Sequence, residues 1–397
     1  MTEIDTNIEN AIFKNGVAQE DNDFVLTHDQ EMAVARIKNW YSRKGSSPIW
    51  KRYFVLSGAA GTGKTSLIQY IIKNLNVAES SILCCAFTGK ASLNLQRKGN
   101  KSSTLHSSIY ECSSDLHGNP VFTLKNYIPY KLIIVDEASM ISEDIFNDIL
   151  SFGIPTIFVG DHCQLPPIEG DFNIMKKPDF TLTSILRQAK KSPIIRASQL
   201  AINGKPIPYC AFEGFRKIHM EDLEDSDFLW ASQIIVGTNS TRKALNQVSR
   251  EIRNIRMRTP VKGERMIVLR NNPHKNLFNG QIVYLASDPV FDKDSQSYSA
   301  EWVDELELLD PLITISSKVK DFRFRMKDPY TEPKDVPLYE YVYLDFGYAI
   351  SCHKGQGSGW DKVMVFDEGF GFDLDTRRRW LYTAITRAKK EILIVSK

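Results

Sequence analysis

A chain of 397 residues with 42% hydrophobic and 25% charged side chains has room for two or three packed domains, and its composition excludes wholesale disorder, a collagen-like repeat and a coiled-coil rod. Fifty Lys and Arg against 48 Asp and Glu leave a formal net charge of +2, which gives no support to a nucleic-acid partner. No apolar run approaches the roughly 20 residues that span a bilayer, and the acidic start MTEIDTNIEN is unlike a secretory signal.

Taken in chain order, residues 1–25 read as an acidic, weakly periodic extension. A helical pattern begins at Leu26, with Thr27 as N-cap before DQEMAVARIKNWY. Apolar runs rich in β-branched residues then fall at 53–58, 81–87, 131–136 and 156–161, separated by helical patterns such as 66–75 and 142–150. Near-continuous apolar strands alternating with helices predict a parallel sheet covered on both faces, and so an α/β domain over 26–178. A second set of runs at 233–238, 341–350, 362–367 and 391–396, with helices over 241–256 and 377–388, predicts a second α/β domain made of 179–263 and 341–397. Between its parts, 264–340 changes texture: short alternating runs, the turn pair Asn279-Gly280 and several prolines predict a small antiparallel β insertion. Its Tyr298, Trp302, Phe322, Phe324 and Tyr330 read as core. In the first domain, 109–130 reads equally as a small hairpin with Leu116–Asn119 near its tip or as a plain connecting loop. The six cysteines contain no C-x-x-C pair and predict reduced thiols in a cytoplasmic protein, with Cys84 and Cys85 packed in a strand.

The most specific chemistry lies at Gly58-Ala59-Ala60-Gly61-Thr62-Gly63-Lys64-Thr65, which fits G-x-x-x-x-G-K-[ST] between a strand and a helix. Glycines let successive backbone N–H groups wrap phosphates, the helix N-terminus adds its dipole, and Lys64 neutralises the β and γ oxygens. Thr65 offers a hydroxyl to Mg²⁺. Asp136-Glu137 ends the strand at 131–136, at the edge where such a sheet binds ligands; Asp136 would hold Mg²⁺ and Glu137 would polarise a water. The strand at 156–161 runs into Gly160-Asp161-His162-Cys163-Gln164-Leu165-Pro166-Pro167, where Gln164 can reach a γ-phosphate or water.

GAAGTGKT, VDEASM and GDHCQLPPI, in this order, resemble the first three signatures of superfamily 1 DNA helicases. Thr27-x-x-Gln30 resembles an adenine-recognising glutamine motif, and 87–91 (Phe87, Thr88, Gly89, Lys90, Ala91) a P-T-G-K-A segment that contacts single-stranded DNA, with Phe87 in place of Pro. Thr104-Leu105-His106 is similar to a T-I-H element, and 182–188 to an arginine motif carrying Arg187. Gly237-Thr238-Asn239 resembles the start of the second domain's elements. The stretch 351–357, with Ser351, His353, Lys354 and Gln356, resembles T-x-H-K-x-Q-G with Ser351 in the Thr place, and 382–388 resembles a terminal Y-V-A-x-T-R-A motif carrying Arg387. The set is most similar to the RecD- and Dda-type branch and covers about Leu26 to Val395.

The resemblance implies two RecA-like domains with the β insertion in the second and a pin hairpin in the first. It implies ATP with Mg²⁺ as cofactors and movement 5′ to 3′ on single-stranded DNA. It assigns Arg187, Arg387 and Gln356 to the γ-phosphate, and Phe87, Thr88, Lys90, His106, Asn239, Ser351, His353 and Lys354 to DNA. On spacing alone, Arg387 reads equally as a surface residue of a basic run. The implied partners are duplex with a single-stranded 5′ tail and proteins of replication, recombination or repair, with the chain working as a monomer. The compact length suggests a phage-like or accessory enzyme in the host cytoplasm.

A P-loop kinase would explain the first domain but not the second sheet or the terminal arginine. A nucleotide-dependent binding module without hydrolysis is opposed by the complete set of charged and amide groups. A translocase that strips proteins from DNA would use the same motor, and residue types do not separate DNA from RNA as its track.

The charge is unevenly placed. Residues 1–31 carry eight acids against Lys14, and 285–345 carry fourteen acids against seven bases, so a total of +2 leaves +16 on the remainder. The stretch 242–275 alone has ten bases and two acids, which reads either as a solvated helical face, the commoner case, or, beside the cleft, as the lining of a DNA track.

Overall fold

Thr27 starts the first helix in the way the sequence predicts. In the computed structural model, its side chain accepts from Gln30 N (3.3 Å) while the Gln30 side chain accepts from Thr27 N (3.0 Å), a capping box on α1 (His28–Ser42). The described residues are 25–45, 51–97, 101–114, 120–167, 172–270, 272, 277, 279–293, 297–305, 320–326, 342–371 and 373–397. The acidic stretch ahead of Val25, the expected turn Leu116–Asn119 and Tyr330 lie outside them.

After α1 come β1 (Tyr53–Gly58), α2 (Lys64–Asn74), β2 (Ile82–Ala86), α3 (Gly89–Arg97), β3 (Ser102–Thr104), α4 (Leu105–Ile109), β4 (Tyr110–Ser114), β5 (Pro120–Leu124), β6 (Leu132–Asp136), α5 (Glu143–Ser151), β7 (Thr156–Gly160) and β8 (Phe180–Leu182). Six of the strands form one parallel sheet in the order β3-β2-β6-β7-β1-β8. The strands are apolar throughout because both faces are covered. Phe54 and Leu56 pack with Leu67, Ile68 and Ile71 of α2 and Ala33 and Ile37 of α1, while Val55, Ile133 and Val135 face Leu105, Ile109 and Ile149 on the other side. The pair β4–β5 is an antiparallel hairpin standing apart from the sheet, with Tyr110 opposite Leu124. Of the two readings of 109–130, the hairpin is the one observed. β8 pairs with β1 beyond residue 178, so the first sheet extends past the expected domain boundary.

The second domain contains α6 (Arg187–Lys191), α7 (Pro193–Ile202), β9 (Cys210–Phe212), β10 (Phe215–His219), α8 (Asp225–Trp230), β11 (Gln233–Val236), α9 (Asn239–Ile252), and then the insertion: β12 (Arg265–Val268), β13 (Ile282–Leu285), β14 (Val290–Asp292), β15 (Ser297–Asp304), β16 (Lys320–Met326) and β17 (Val342–Phe346). It resumes with β18 (Ala349–Ser351), α10 (Cys352–Gly355), β19 (Trp360–Asp367), α11 (Leu374–Ile385) and β20 (Ala388–Ser396). Its sheet runs β18-β11-β19-β20-β10-β9, parallel except for the β9–β10 edge.

The run expected as one strand over 341–350 is two strands in two sheets. β17 belongs to the insertion and β18 to the second domain, so the insertion runs from β12 to β17 and includes residues assigned to the motor domain from sequence. Gly347 makes the break: a Cβ there would lie 3.1 Å from Met266 C and 3.3 Å from Arg265 O, and its N–H donates to Arg265 O (2.8 Å). Within the insertion, β13 pairs with both β12 and β15, which closes the ring β12-β17-β16-β15-β13 into a small barrel. Trp302 and Phe324 are in its core, as the sequence predicts.

Buried arginines tie the barrel together and to the second domain. Arg250 of α9 reaches Glu264 (2.6 Å), and Arg265 reaches Glu305 (2.7 Å), Gln233 Oε1 (2.6 Å) and Gly347 O (2.9 Å). Arg242 pairs with Asp345 (2.8 Å), and Arg253 donates to Ser249 O (2.9 Å) and Phe228 O (3.1 Å). Four of the ten bases of the stretch 242–275 are therefore engaged inside the fold and do not belong to an exposed basic track.

Candidate active site

The phosphate loop links β1 to α2 with Gly61 and Gly63 at φ +83° and +78°, left-handed conformations that other residues disfavour. A Cβ at Gly63 would lie 2.7 Å from Gln30 Nε2, and one at Gly61 2.9 Å from Ala189 Cβ, so the loop is also closely packed from outside. Lys64 curls back over it, donating to Gly58 O (2.6 Å) and Ala59 O (3.1 Å) with its ammonium 3.8 Å from the buried Asp161 carboxylate. Thr65 follows in the first turn of α2. Gln30 is buried, and both ends of its amide are engaged: Oε1 in the capping box and Nε2 on Thr62 O (3.0 Å). It holds the phosphate loop in this structure, and contact with an adenine would require those bonds to change. Next to it, Asp29 accepts from Thr183 N (2.7 Å), Thr183 Oγ1 (3.0 Å) and Ser184 N (2.8 Å). Burial opposes its ionisation, but these hydrogen bonds outweigh it and hold the carboxyl below its ordinary range.

Asp136 is buried at the end of β6, where its carboxylate accepts from Glu137 N (2.9 Å). Glu137 takes φ +55°, and the turn Ala138–Met140 that follows packs on the end of β7, with Ser139 N 3.1 Å from where a Gly160 Cβ would be. Gln164 lies buried in the loop after β7. Its Oε1 and Ser139 Oγ find no hydrogen-bond partner among the described residues. The Thr65 hydroxyl and Asp136 carboxylate are hard-oxygen donors of the kind Mg²⁺ takes, and the loop's N–H groups suit a polyphosphate, so the donor types present fit both cofactors.

The second domain meets this centre through one face of α11. Arg379, Tyr382 and Thr383 are spaced i, i+3, i+4 and all point at the loop Gly160–Pro167 or the phosphate loop. Arg379 donates to His162 O and to Gln164 O (3.4 Å). Thr383 Oγ1 accepts from Leu165 N (3.0 Å). The Tyr382 hydroxyl donates to Asp161 Oδ2 (2.7 Å) and accepts from Ala60 N (2.6 Å). Gln356 crosses the same way, donating to Leu165 O (2.8 Å) rather than to the phosphate loop. Arg387 is buried, with its donors on Thr383 O (3.0 Å) and Ser358 O (2.9 Å) of its own domain. It is thus no surface residue, and to reach a phosphate it would have to leave those carbonyls. Arg187 begins α6, and Lys90 lies in α3; their side chains lie outside the described residues.

The residues assigned to DNA form two clusters. Thr88 caps α3, accepting from Ala91 N (3.2 Å), and donates across the cleft to Gly357 O (3.4 Å). Phe87 meets His106 edge-on at 5.6 Å, and His106 in turn meets Tyr110 (5.7 Å) and Phe122 (6.3 Å) of the hairpin. In the second domain Asn239 is exposed at the start of α9, Ser351 precedes α10, His353 lies 6.3 Å from the Phe370 ring, and Lys354 donates to Asn279 Oδ1 (2.9 Å) in the β12–β13 turn of the barrel. Burial pushes the pKa of His106 and His353 down.

Several residues carry these arrangements without having been legible beforehand. Asp161 and His162 sit in a motif read only for Gln164. His162 Nδ1 lies 2.7 Å from Ser57 Oγ, and burial first, then Lys64 and Arg379, lower its pKa against the pull of Asp161. Glu368, just past β19, accepts from Gly237 N (2.9 Å) and Thr238 N (2.8 Å) and from the Thr241 hydroxyl, fixing the start of α9. Its signal was an acid at a strand's end, the cue that pointed to Asp136-Glu137. For α11 the cue was three polar residues on one face of a helix whose remaining positions include buried Trp380 and Ala384.

Comparison with known proteins follows the same division. Residues 49–220 match the family model described as an AAA domain, and residues 346–395 the UvrD-like helicase C-terminal domain. The chain is 26% identical over 353 residues to the ATP-dependent RecD2 DNA helicase of Deinococcus radiodurans, covering 85% of this chain and 46% of that protein. Its identity to the ATP-dependent DNA helicase dda of phage T4 is 31% over 170 residues, 39% of each protein. The chain thus spans less than half the length of either relative. In fold it is similar to the Pif1 helicase of Candida albicans (TM-score 0.53, 17% identity, 94% of each chain) and to Bacteroides Pif1 in complex with ADP-AlF3 and single-stranded DNA (TM-score 0.54, 18% identity, 94% of this chain and 93% of that one). Motif order and the two matched domains agree: the chain belongs to the superfamily 1 helicases and is similar to their RecD2 and dda members, with a fold like that of the Pif1 structures.

Proposed function

We propose that the chain is an ATP-driven motor that moves 5′ to 3′ on single-stranded DNA and separates the duplex ahead of it. The observation that carries this reading is the meeting of two loops of the first domain (the phosphate loop and the Gly160–Pro167 loop) with one polar face of α11 from the second. A P-loop enzyme built on the first sheet alone would have no use for such a face. The names of the RecD2 and dda relatives, and the DNA in the Bacteroides Pif1 complex, support the choice of track.

In this reading Lys64 and the loop N–H groups bind the β- and γ-phosphates, and Thr65 and Asp136 would hold Mg²⁺, which would supply charge neutralisation. Glu137 orients and deprotonates the attacking water, with Gln164 Oε1 as a second acceptor beside it. Arg187 and Arg387 stabilise charge on the transferred group. Gln30 serves the adenine end of the site. Thr88, His106, Asn239 and Lys354 bind the DNA backbone from both sides of the cleft. Contacts that differ before and after hydrolysis shift the cleft between two arrangements, and unequal grips on the strand turn that shift into movement.

The test is phosphate release with and without single-stranded DNA, followed by unwinding of duplexes carrying a 5′ or a 3′ tail. Release stimulated by DNA and unwinding confined to the 5′-tailed substrate are expected. Unwinding confined to the 3′ tail would refute the polarity, and release indifferent to DNA would refute the motor. Lys64→Ala should eliminate turnover with DNA binding largely intact.

A further inference from the structure

The hairpin β4–β5 is a two-stranded sheet that gains no third strand among the described residues. Two paired strands by themselves are marginally stable in water, yet a hairpin that parts a duplex has to stand firm against it. Its firmness has to come from its base. On one side Lys125, just past β5, donates from its backbone N to Ile109 O (2.9 Å) and from Nζ to Ser107 O and Ser108 O (both 3.0 Å). The returning strand is thus tied to the carbonyl end of α4, a neighbour in sequence. On the other side Tyr110, the first residue of β4, donates its phenol proton to Asp148 Oδ2 of α5, 38 positions further along the chain. α5 is fixed to the body of the domain: Ile149 is buried in the core, and the Phe146 ring lies 5.5 Å from that of Phe158 in β7. The Tyr110 ring also faces the two groups that its hydroxyl helps to place, His106 at 5.7 Å and, diagonally across the hairpin, Phe122 at 6.4 Å. Burial, then the bond to Asp148, push the phenol's pKa up, so the proton stays on oxygen to be donated.

We propose that Tyr110 is a positioning residue for strand separation: its bond to Asp148 braces the base of the hairpin against the first domain and fixes where Val121 and Phe122 stand. Without the brace the hairpin still forms, because the ladder from Tyr110–Leu124 to Ser114–Pro120 and the Lys125 tie remain. Its base is then held on the Lys125 side alone, and an opposing duplex can swing it aside. Neither Tyr110 nor Asp148 belongs to the phosphate loop, the Asp136-Glu137 turn or the Gly160–Pro167 loop. Hydrolysis and movement along a single strand therefore continue while unwinding fails.

The inference rests on the reading of the chain as a strand-separating motor with this hairpin as its pin, and the experiment keeps the two apart. Unwinding rate, translocation rate on single-stranded DNA and DNA-stimulated phosphate release are measured with the full chain. Forked duplexes carrying both tails make the result independent of polarity. Tyr110→Phe keeps the ring and removes the brace. Its unwinding should fall about tenfold, the worth of a hydrogen bond to a charged group, with translocation and phosphate release within about twofold of wild type. Asp148→Ala should lose as much, and the double variant Tyr110→Phe, Asp148→Ala no more than either, since both remove one bond. Asp148→Asn keeps an oxygen that accepts from the phenol and should unwind within about threefold of wild type. Unchanged unwinding by Tyr110→Phe overturns the proposal, and so does a loss matched by an equal loss of translocation, which would make the bond a general support of the fold. Losses that multiply in the double variant overturn it too. Should a chain lacking 113–120 unwind as wild type does, the pin reading falls and this inference with it; a deletion that abolishes unwinding beside an unaffected Tyr110→Phe sinks the brace alone.

Discussion

Glu137 shows how much a single residue can conceal in a sequence. Its place after Asp136 marks it as a candidate base, but nothing in the letters shows that its backbone sits at φ +55°. The other described non-glycine residues with positive φ are Asn76 and Asn254, a type that tolerates this region through local hydrogen bonding. A glutamate there carries strain, which the packing of Ala138–Met140 against β7 sustains, and the strain sets the carboxylate beside Asp136. Glu137→Gly should therefore abolish turnover yet raise the free energy of unfolding by about 0.5–1 kcal/mol, after allowing for the entropy glycine adds to the unfolded chain. Urea denaturation reads the change, and a lowered midpoint would remove the case for strain. Gln30 and Arg387 make a related point. Their residue types were legible, but which atoms they bind was decided by neighbours more than thirty positions away or by their own helix.

At the scale of elements, the long apolar strands and their helices were legible because a strand buried on both faces has no polar alternation to confuse it, as in β2, β6 and β7. The short strands β3, β8 and β9 were not, since three residues carry no period. The run at 341–350 failed for another reason: apolar residues continue across Gly347, and only the approach of the β12 backbone shows that the chain changes sheets there. The hairpin β4–β5 was half legible, its strands ordinary and its turn marked by glycine. It stands beside the Phe87–His106 pair, joined by the Phe122 ring, with Val121 and Phe122 partly exposed. Exposed apolar groups beside the residues proposed to hold DNA suit a wedge. Deleting 113–120 should reduce unwinding to below about a tenth while DNA-stimulated ATPase stays within about twofold, because the deletion spares the conformational cycle. Full unwinding by the shortened chain would sink the wedge.

Across the whole molecule, charge and burial act together on pH dependence. His106 in the first domain, His162 beside the phosphate loop and His353 in the second domain are all held below their ordinary value of 6.5, each chiefly by burial. A histidine with a lowered folded pKa stays neutral while its unfolded counterpart takes up a proton, so stability is complete above about 6.5 and is lost as pH falls below it. Melting temperature should fall between about pH 7 and 5, by less in the His106→Gln, His162→Gln, His353→Gln triple variant; an equal fall in both would assign the loss to other groups. The near-neutral total of +2 proved to be an average over unlike parts, yet part of the apparent basic track in 242–275 is internal ion pairing that anchors the barrel. By itself the sequence determined the two α/β domains, a β insertion within the second, and the phosphate, Asp-Glu and Gln164 motifs, because these are local patterns of strand, turn and helix. Only the tertiary structure decided which side chains bridge the cleft. Tyr382 reaches Ala60 across 322 residues of chain, and a hydrogen bond at that separation has no trace in local order.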